Sequence, residues 1–183
     1  MPVQEKRQEQ STPRTLIPPM IAAWSTYLAT DFLSHAVVFA PWWRWTQSYW
    51  LLPAQLFRRI PFGYASFALY CAALTWLIHR HFKERLSLLL GFRYGAFAGA
   101  IYGSAFVLAA FSVFSMPASA LVVWPLTTVI GSAAAGAAAA SLLRARRPWR
   151  RLLLVLALTV ALVILGVVLQ NLVVPAPSIG SVE

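Results

Sequence analysis

The residues of this chain best suited to chemistry are Asp31 and His35, an acid and an imidazole set four positions apart in an otherwise apolar stretch. That spacing places both on one face of a helix. A carboxylate held among apolar groups can take up a proton or a cation, and an imidazole can relay a proton near neutral pH. The competing role is structural, with Asp31 answering the positive charge of Arg44, Arg58 or Arg59. The expectation is a polar site, serving ion, proton or structure, drawn from Asp31, His35, Arg58 and Arg59. Two side chains fall short of the three protein ligands usual for a catalytic zinc. His79 and His81 belong to the opposite membrane face in the topology derived below, where they read as head-group contacts beside Arg80, Lys83 and Arg85. Haem held between helices needs an imidazole at matching depth on a second helix, and the sequence supplies none. No serine, cysteine and histidine set has the pattern of a hydrolytic triad, so neither an enzyme nor a metal or cofactor is expected.

A second pattern serves packing. Gly91, Gly95, Gly99 and Gly103 recur at every fourth position of one apolar run. They fall along one slowly drifting helix face, where the missing side chains let another backbone approach closely. The expected partner is the next run, with Gly131, Ser132, Ala133, Ala134, Ala135 and Gly136, joined by a short turn from Ser115 to Ser119. A seam between two copies of the chain would use the same small residues. A phosphate-binding loop is excluded, because the run lacks the Gly-Lys-Ser/Thr ending.

The elements that must position these residues follow from composition. The chain is 60% hydrophobic and 11% charged, against roughly 45–50% and about 25% in soluble domains. Its surroundings are therefore lipid. The net charge of +10 would suggest nucleic acid in a soluble protein, but here the basic residues fall between apolar runs and no aromatic-lined basic groove remains. Membrane lipids are the expected partners and nucleic acid is not. Cys71 is the sole cysteine, so no disulfide forms within one chain.

Five apolar stretches are each close to the ~20 residues that cross a ~30 Å hydrocarbon core. They run 16–39, 62–78, 88–114, 118–143 and 152–174, within a domain of 15–174. Residues 1–14 read as a disordered cytoplasmic tail and 175–183 as a short outer tail. The first stretch exceeds the apolar core of a signal peptide and carries Asp31 and His35, so it reads as a retained span. Helices are required, because backbone groups in lipid must be paired within the segment.

Orientation comes from Lys and Arg alone. With the N-terminus inside, the inner segments hold Lys6, Arg7, Arg14, Arg80, Lys83, Arg85, Arg93, Arg144, Arg146, Arg147, Arg150 and Arg151, and the outer ones only Arg44, Arg58 and Arg59. This favours an all-α integral membrane helix bundle of five transmembrane helices, N-in and C-out. Four spans with both termini outside is the alternative, should the first stretch, with Pro18, Pro19, Asp31 and His35, lie in the interface. Between spans one and two, Pro41 to Pro61 carries Trp42, Trp43, Trp45, Tyr49, Trp50 and Phe57. That density of amphipathic rings suits the head-group level and predicts a short interfacial helix. Arg144, Arg146, Arg147, Arg150 and Arg151 read as lipid head-group contacts, with a docking site for a protein as the alternative. Trp124-Pro125 suggests an interfacial anchor followed by a kink.

The stretch Asp31-Phe32-Leu33-Ser34-His35, the aromatic outer segment, Gly91-Phe92-Arg93-Tyr94-Gly95 and Trp124 resemble a pattern found in small bacterial polytopic membrane proteins of unknown function, built from about four spans. The resemblance covers roughly Thr15 to Leu143 and implies a bacterial inner-membrane location. Two functional classes are expected from the sequence. One is a non-enzymatic accessory or structural subunit of a membrane complex, with another membrane protein as its partner, whereas a lone homo-oligomer would speak for the second class. The other is a small proton- or ion-coupled transporter using Asp31 and His35, which ought to show internal repeats. None is evident, and that favours the first class.

Overall fold

The computed structural model describes residues 15–46, 53–82, 85–113 and 121–173. The two tails and the turn from Ser115 to Ser119 lie outside the described residues. Among the described residues the fold is all-α, with six helices: α1 (Ile17–Leu33), α2 (Ala40–Trp45), α3 (Pro53–Phe82), α4 (Leu88–Val113), α5 (Val123–Leu143) and α6 (Pro148–Val173). Four of them, α3 to α6, are long and apolar enough to cross a membrane.

α1 starts on Pro18 and Pro19 in its first turn, where the N–H groups that proline lacks have no intrahelical acceptor. It runs without interruption into a π-helical turn, Ser34–Val38. The cause lies just ahead in sequence. Pro41 cannot donate to the preceding turn, and its ring crowds the carbonyl four residues back, so a regular α-ladder cannot pass through Val37 to Pro41. The chain relaxes by lengthening its hydrogen bonds, with Phe39 N–H donating to the Ser34 carbonyl five residues back at 2.8 Å. α2 then begins at Ala40, with Pro41 in its first turn.

The outer aromatic segment is divided between elements. Its start is α2, and its end is the first turns of α3, which passes through Pro61 without stopping. At 30 residues α3 exceeds the membrane core. Its first half, including Phe57, Arg58, Arg59 and Phe62, is exposed, and packing begins at Phe67. Pro125 lies in the first turn of α5, so it starts the helix where the sequence suggested a kink.

The largest helix contact is α4 on α5. An added Cβ at Gly95 would run into the Ser132 carbonyl, and at Gly99 it would come within 2.7 Å of the Ser132 side chain. At Gly91 it would lie 2.5 Å from the Gly136 carbonyl, and at Gly103 2.9 Å from the Pro125 backbone. Gly136 meets the Gly91 carbonyl from the other side. The every-fourth-residue face is thus spent within one chain, where close backbones supply dispersion contacts that lipid would otherwise make equally well.

α1 sits at the centre, packed on α5, α6 and α3. Two of its aromatic side chains fit positions where the neighbour has no side chain: the Tyr27 ring lies against Gly131 of α5 and the Phe32 ring against Gly166 of α6. Ala23, Tyr27, Cys71, Leu74, Ile78, Leu86, Ala135, Ala139, Ala140 and Leu143 form the main core. Leu16, Phe82, Leu86 and Leu143 share this cluster, so the start of α1, the end of α3 and the end of α5 meet at one end of the bundle. Arg80, Arg85, Arg93 and the arginines between Arg144 and Arg151 belong to that end, and Arg58 and Arg59 to the other.

Candidate functional site

Asp31 and His35 meet across the join between α1 and its π-helical turn. His35 Nδ1 lies 3.3 Å from Asp31 Oδ2, and both side chains are largely covered, at 26% and 20% exposed. Hydroxyls prepare the join. Thr30 Oγ1 donates to the Thr26 carbonyl at 2.8 Å, and Ser34 Oγ donates to the Thr30 carbonyl at 2.8 Å. Such back-bonding loosens the regular ladder and bends helices. The wider π turn advances His35 around the helix axis while keeping it within reach of the acid. Among the described residues the close partner of the Asp31 carboxylate is the His35 imidazole, while Arg58 and Arg59 are exposed on α3. The Arg44 side chain lies outside what is described.

One turn inward from Asp31 stands a cluster that sequence reasoning passed over. Tyr27, 1% exposed, packs against Phe67 at 4.9 Å and Tyr70 at 6.0 Å between ring centroids. The Tyr70 and Ser132 hydroxyls are 2.8 Å apart, and the Tyr70 ring stacks on Tyr102 at 4.8 Å. Tyr27 of α1 and Tyr70 of α3 therefore meet against α5, with Tyr102 of α4 stacked on Tyr70. One signal was available: Tyr27 precedes Asp31 by four residues and shares its face. Tyr70 and Tyr102 carry no such local mark.

His79 and His81 lie in the last turn of α3, beside Arg80, whose guanidinium stands 5.6 Å from the Trp76 ring centre. They are a bundle length from His35. No group of three or more His, Cys, Asp or Glu is placed to hold a metal among the described residues. At the same end Arg144, Arg146, Arg147, Arg150 and Arg151 surround one open cleft.

With four helices long and apolar enough to span, the class of the chain is settled. This is a multi-pass membrane protein. No family model, curated protein or solved structure matches it.

Proposed function

We propose that this membrane protein is a non-enzymatic accessory or structural subunit of a bacterial inner-membrane complex, crossing five times with its N-terminus in the cytoplasm and its C-terminus outside. The fifth crossing is α1 with its π turn. α1 accompanies α6 from Leu152, packed on Ala22, to Gly166, against Phe32. On α1 itself those contacts are roughly 15 Å apart, and the whole of Ile17–Leu33 is about 25 Å of a ~30 Å core at 1.5 Å per residue, with the π turn continuing beyond it. The orientation rests on the gathering of arginine at one end.

The observation that carries the accessory role is that the bundle's acid and its glycine face are both met from within the chain, the acid by His35 and the face by α5. What it presents outward is apolar, through Phe97, Ile101 and Leu108 on α4 and Leu158, Ile164 and Leu172 on α6. Such faces suit lipid and the flank of another membrane protein. Purification in mild detergent from the cells that make the protein tests this reading. A stoichiometric membrane-protein partner is the expected outcome, and recovery as a lone monomer or homo-oligomer overturns it.

A second reading has its own observation. π turns recur at functional positions in helices, and here one sets His35 beside the acid of the preceding turn, with Tyr27, Tyr70 and Ser132 further inward. A small proton- or ion-coupled carrier would use this set. Vesicles holding the purified protein and a pH-sensitive dye decide it: flux lost in a folded Asp31→Asn variant supports the carrier, and no flux from the wild type removes it.

A further inference from the structure

We propose that the arginine cleft between α5 and α6 is a specific site for an anionic phospholipid bearing two phosphodiesters, held one lipid to one protein. It rests on membrane insertion but on neither reading of function above. The cleft has a volume of about 520 Å³ and is lined by Arg144, Arg146, Arg147, Arg150 and Arg151, with Ala145 and Leu154. The arginines come from the end of α5, the connection and the first turn of α6, so a bend in the chain gathers charges that a straight helix would spread along its length.

Among the described residues no carboxylate answers them. Asp31 is the sole acid among the described residues, and it belongs to the far end, near Gly166 through its neighbour Phe32. From Pro148 to Gly166 is roughly 27 Å along α6, beyond the ~8 Å over which physiological salt screens exposed charges. Counter-charge must come from outside the described fold.

The cleft's composition selects the form of that charge. A guanidinium fork matches two oxygens of one phosphate. Arg151 is partly committed, donating from Nη1 to the Ser141 carbonyl at 2.9 Å, which fixes that wall. Arg144, Arg146, Arg147 and Arg150 are exposed around it, enough to bracket two phosphates in pairs. Leu154 extends the lining toward the membrane, and the exposed Leu153 and Leu158 continue along α6 where acyl chains would lie. A soluble anion would use the arginines and leave this apolar track idle. A basic pocket between helix ends with an apolar exit is the form in which membrane proteins hold two-phosphate head groups.

The test uses purified, delipidated full-length protein in neutral detergent, with thermal unfolding and native mass spectrometry as readouts. Diphosphatidylglycerol, phosphatidylglycerol and inorganic pyrophosphate are added at equal phosphate concentration. One bound diphosphatidylglycerol and a raised melting temperature are expected, with phosphatidylglycerol binding at least about tenfold more weakly and pyrophosphate not competing. Arg147→Gln with Arg150→Gln should weaken diphosphatidylglycerol binding by about 20-fold or more, each charge near the surface being worth about fivefold. Arg58→Gln with Arg59→Gln, at the other end, should leave it unchanged, and added salt should weaken the site steeply. Unfolding of each lipid-free variant shows whether the substitutions damage the fold, and Arg147→Lys with Arg150→Lys, which keeps the charge but loses the fork, supplies a folded second variant with intermediate affinity. Equal binding of both lipids with no fixed stoichiometry, or loss of binding equally from either arginine pair, would overturn the proposal in favour of a diffuse ionic layer. Competition by pyrophosphate at matched concentration would overturn the lipid as the source of the phosphates.

Discussion

At the scale of single residues, Asp31 shows how a costly group is made tolerable. An acid in a spanning helix costs roughly 2.5–3.5 kcal/mol at the bilayer centre, and here His35 stands 3.3 Å away on the same helix. A double-mutant cycle of Asp31→Asn and His35→Gln should therefore give a coupling of about 0.5 kcal/mol or more. The same cycle of Asp31→Asn with Arg58→Gln or Arg59→Gln should give none. Coupling to either arginine and not to His35 would restore the outer counter-charge that the sequence suggested. Tyr70 offers a companion measurement. Its hydroxyl pairs with that of the fully buried Ser132 at 2.8 Å, so Tyr70→Phe should cost about 1 kcal/mol in unfolding free energy. Adding Ser132→Ala should cost less than the sum of the two single changes, because the second change removes a group already deprived of its partner.

At the scale of elements, the α4–α5 seam depends on the absence of single methyl groups. A Cβ at Gly95 would collide with the Ser132 carbonyl, which is backbone and cannot swing aside. Gly95→Ala should thus lower stability by roughly 1–3 kcal/mol, and Gly95→Leu should abolish folding. Gly63 on α3 has nothing within 4 Å of an added Cβ, so Gly63→Ala should leave the melting temperature unchanged or raise it, by up to about 1 kcal/mol of helix propensity. Thermal unfolding of the two alanine variants side by side decides the matter, and equal melting temperatures would mean that α4 and α5 do not pack this closely.

At the scale of the molecule, the topology is open to direct measurement. A reporter active only in the cytoplasm should work when inserted after Arg14 or between Arg144 and Arg147, and fail when fused after Glu183. Activity at Glu183 would mean that α1 does not cross. α1 is not one of the four helices long and apolar enough to cross by length and composition. It lies among α3, α5 and α6, and a helix surrounded by helices needs less apolarity than one facing lipid. At the other extreme α6 has a mean hydropathy of 3.2 and the smallest buried share of the four apolar helices.

Apolar length and the spacing of glycine were enough in the sequence to identify α3 to α6 as helices and to mark the face by which α4 packs. Both are local properties, set by the 1.5 Å rise and the fourfold recurrence of one helix. The Asp31 and His35 pair was legible for the same reason, since its partners are one turn apart. What local spacing cannot express is which helix lies inside the others. The polar residues of α1 lowered its apparent fitness as a span, yet Tyr27 and Phe32 found glycines on α5 and α6 that admit their rings. The meeting of Tyr27 and Tyr70 against α5, with Tyr102 stacked on Tyr70, joins residues that have no common period in the chain. Only the packed bundle decides such contacts, because they depend on the rotation and depth of each helix against its neighbours, and close packing of unlike surfaces sets both.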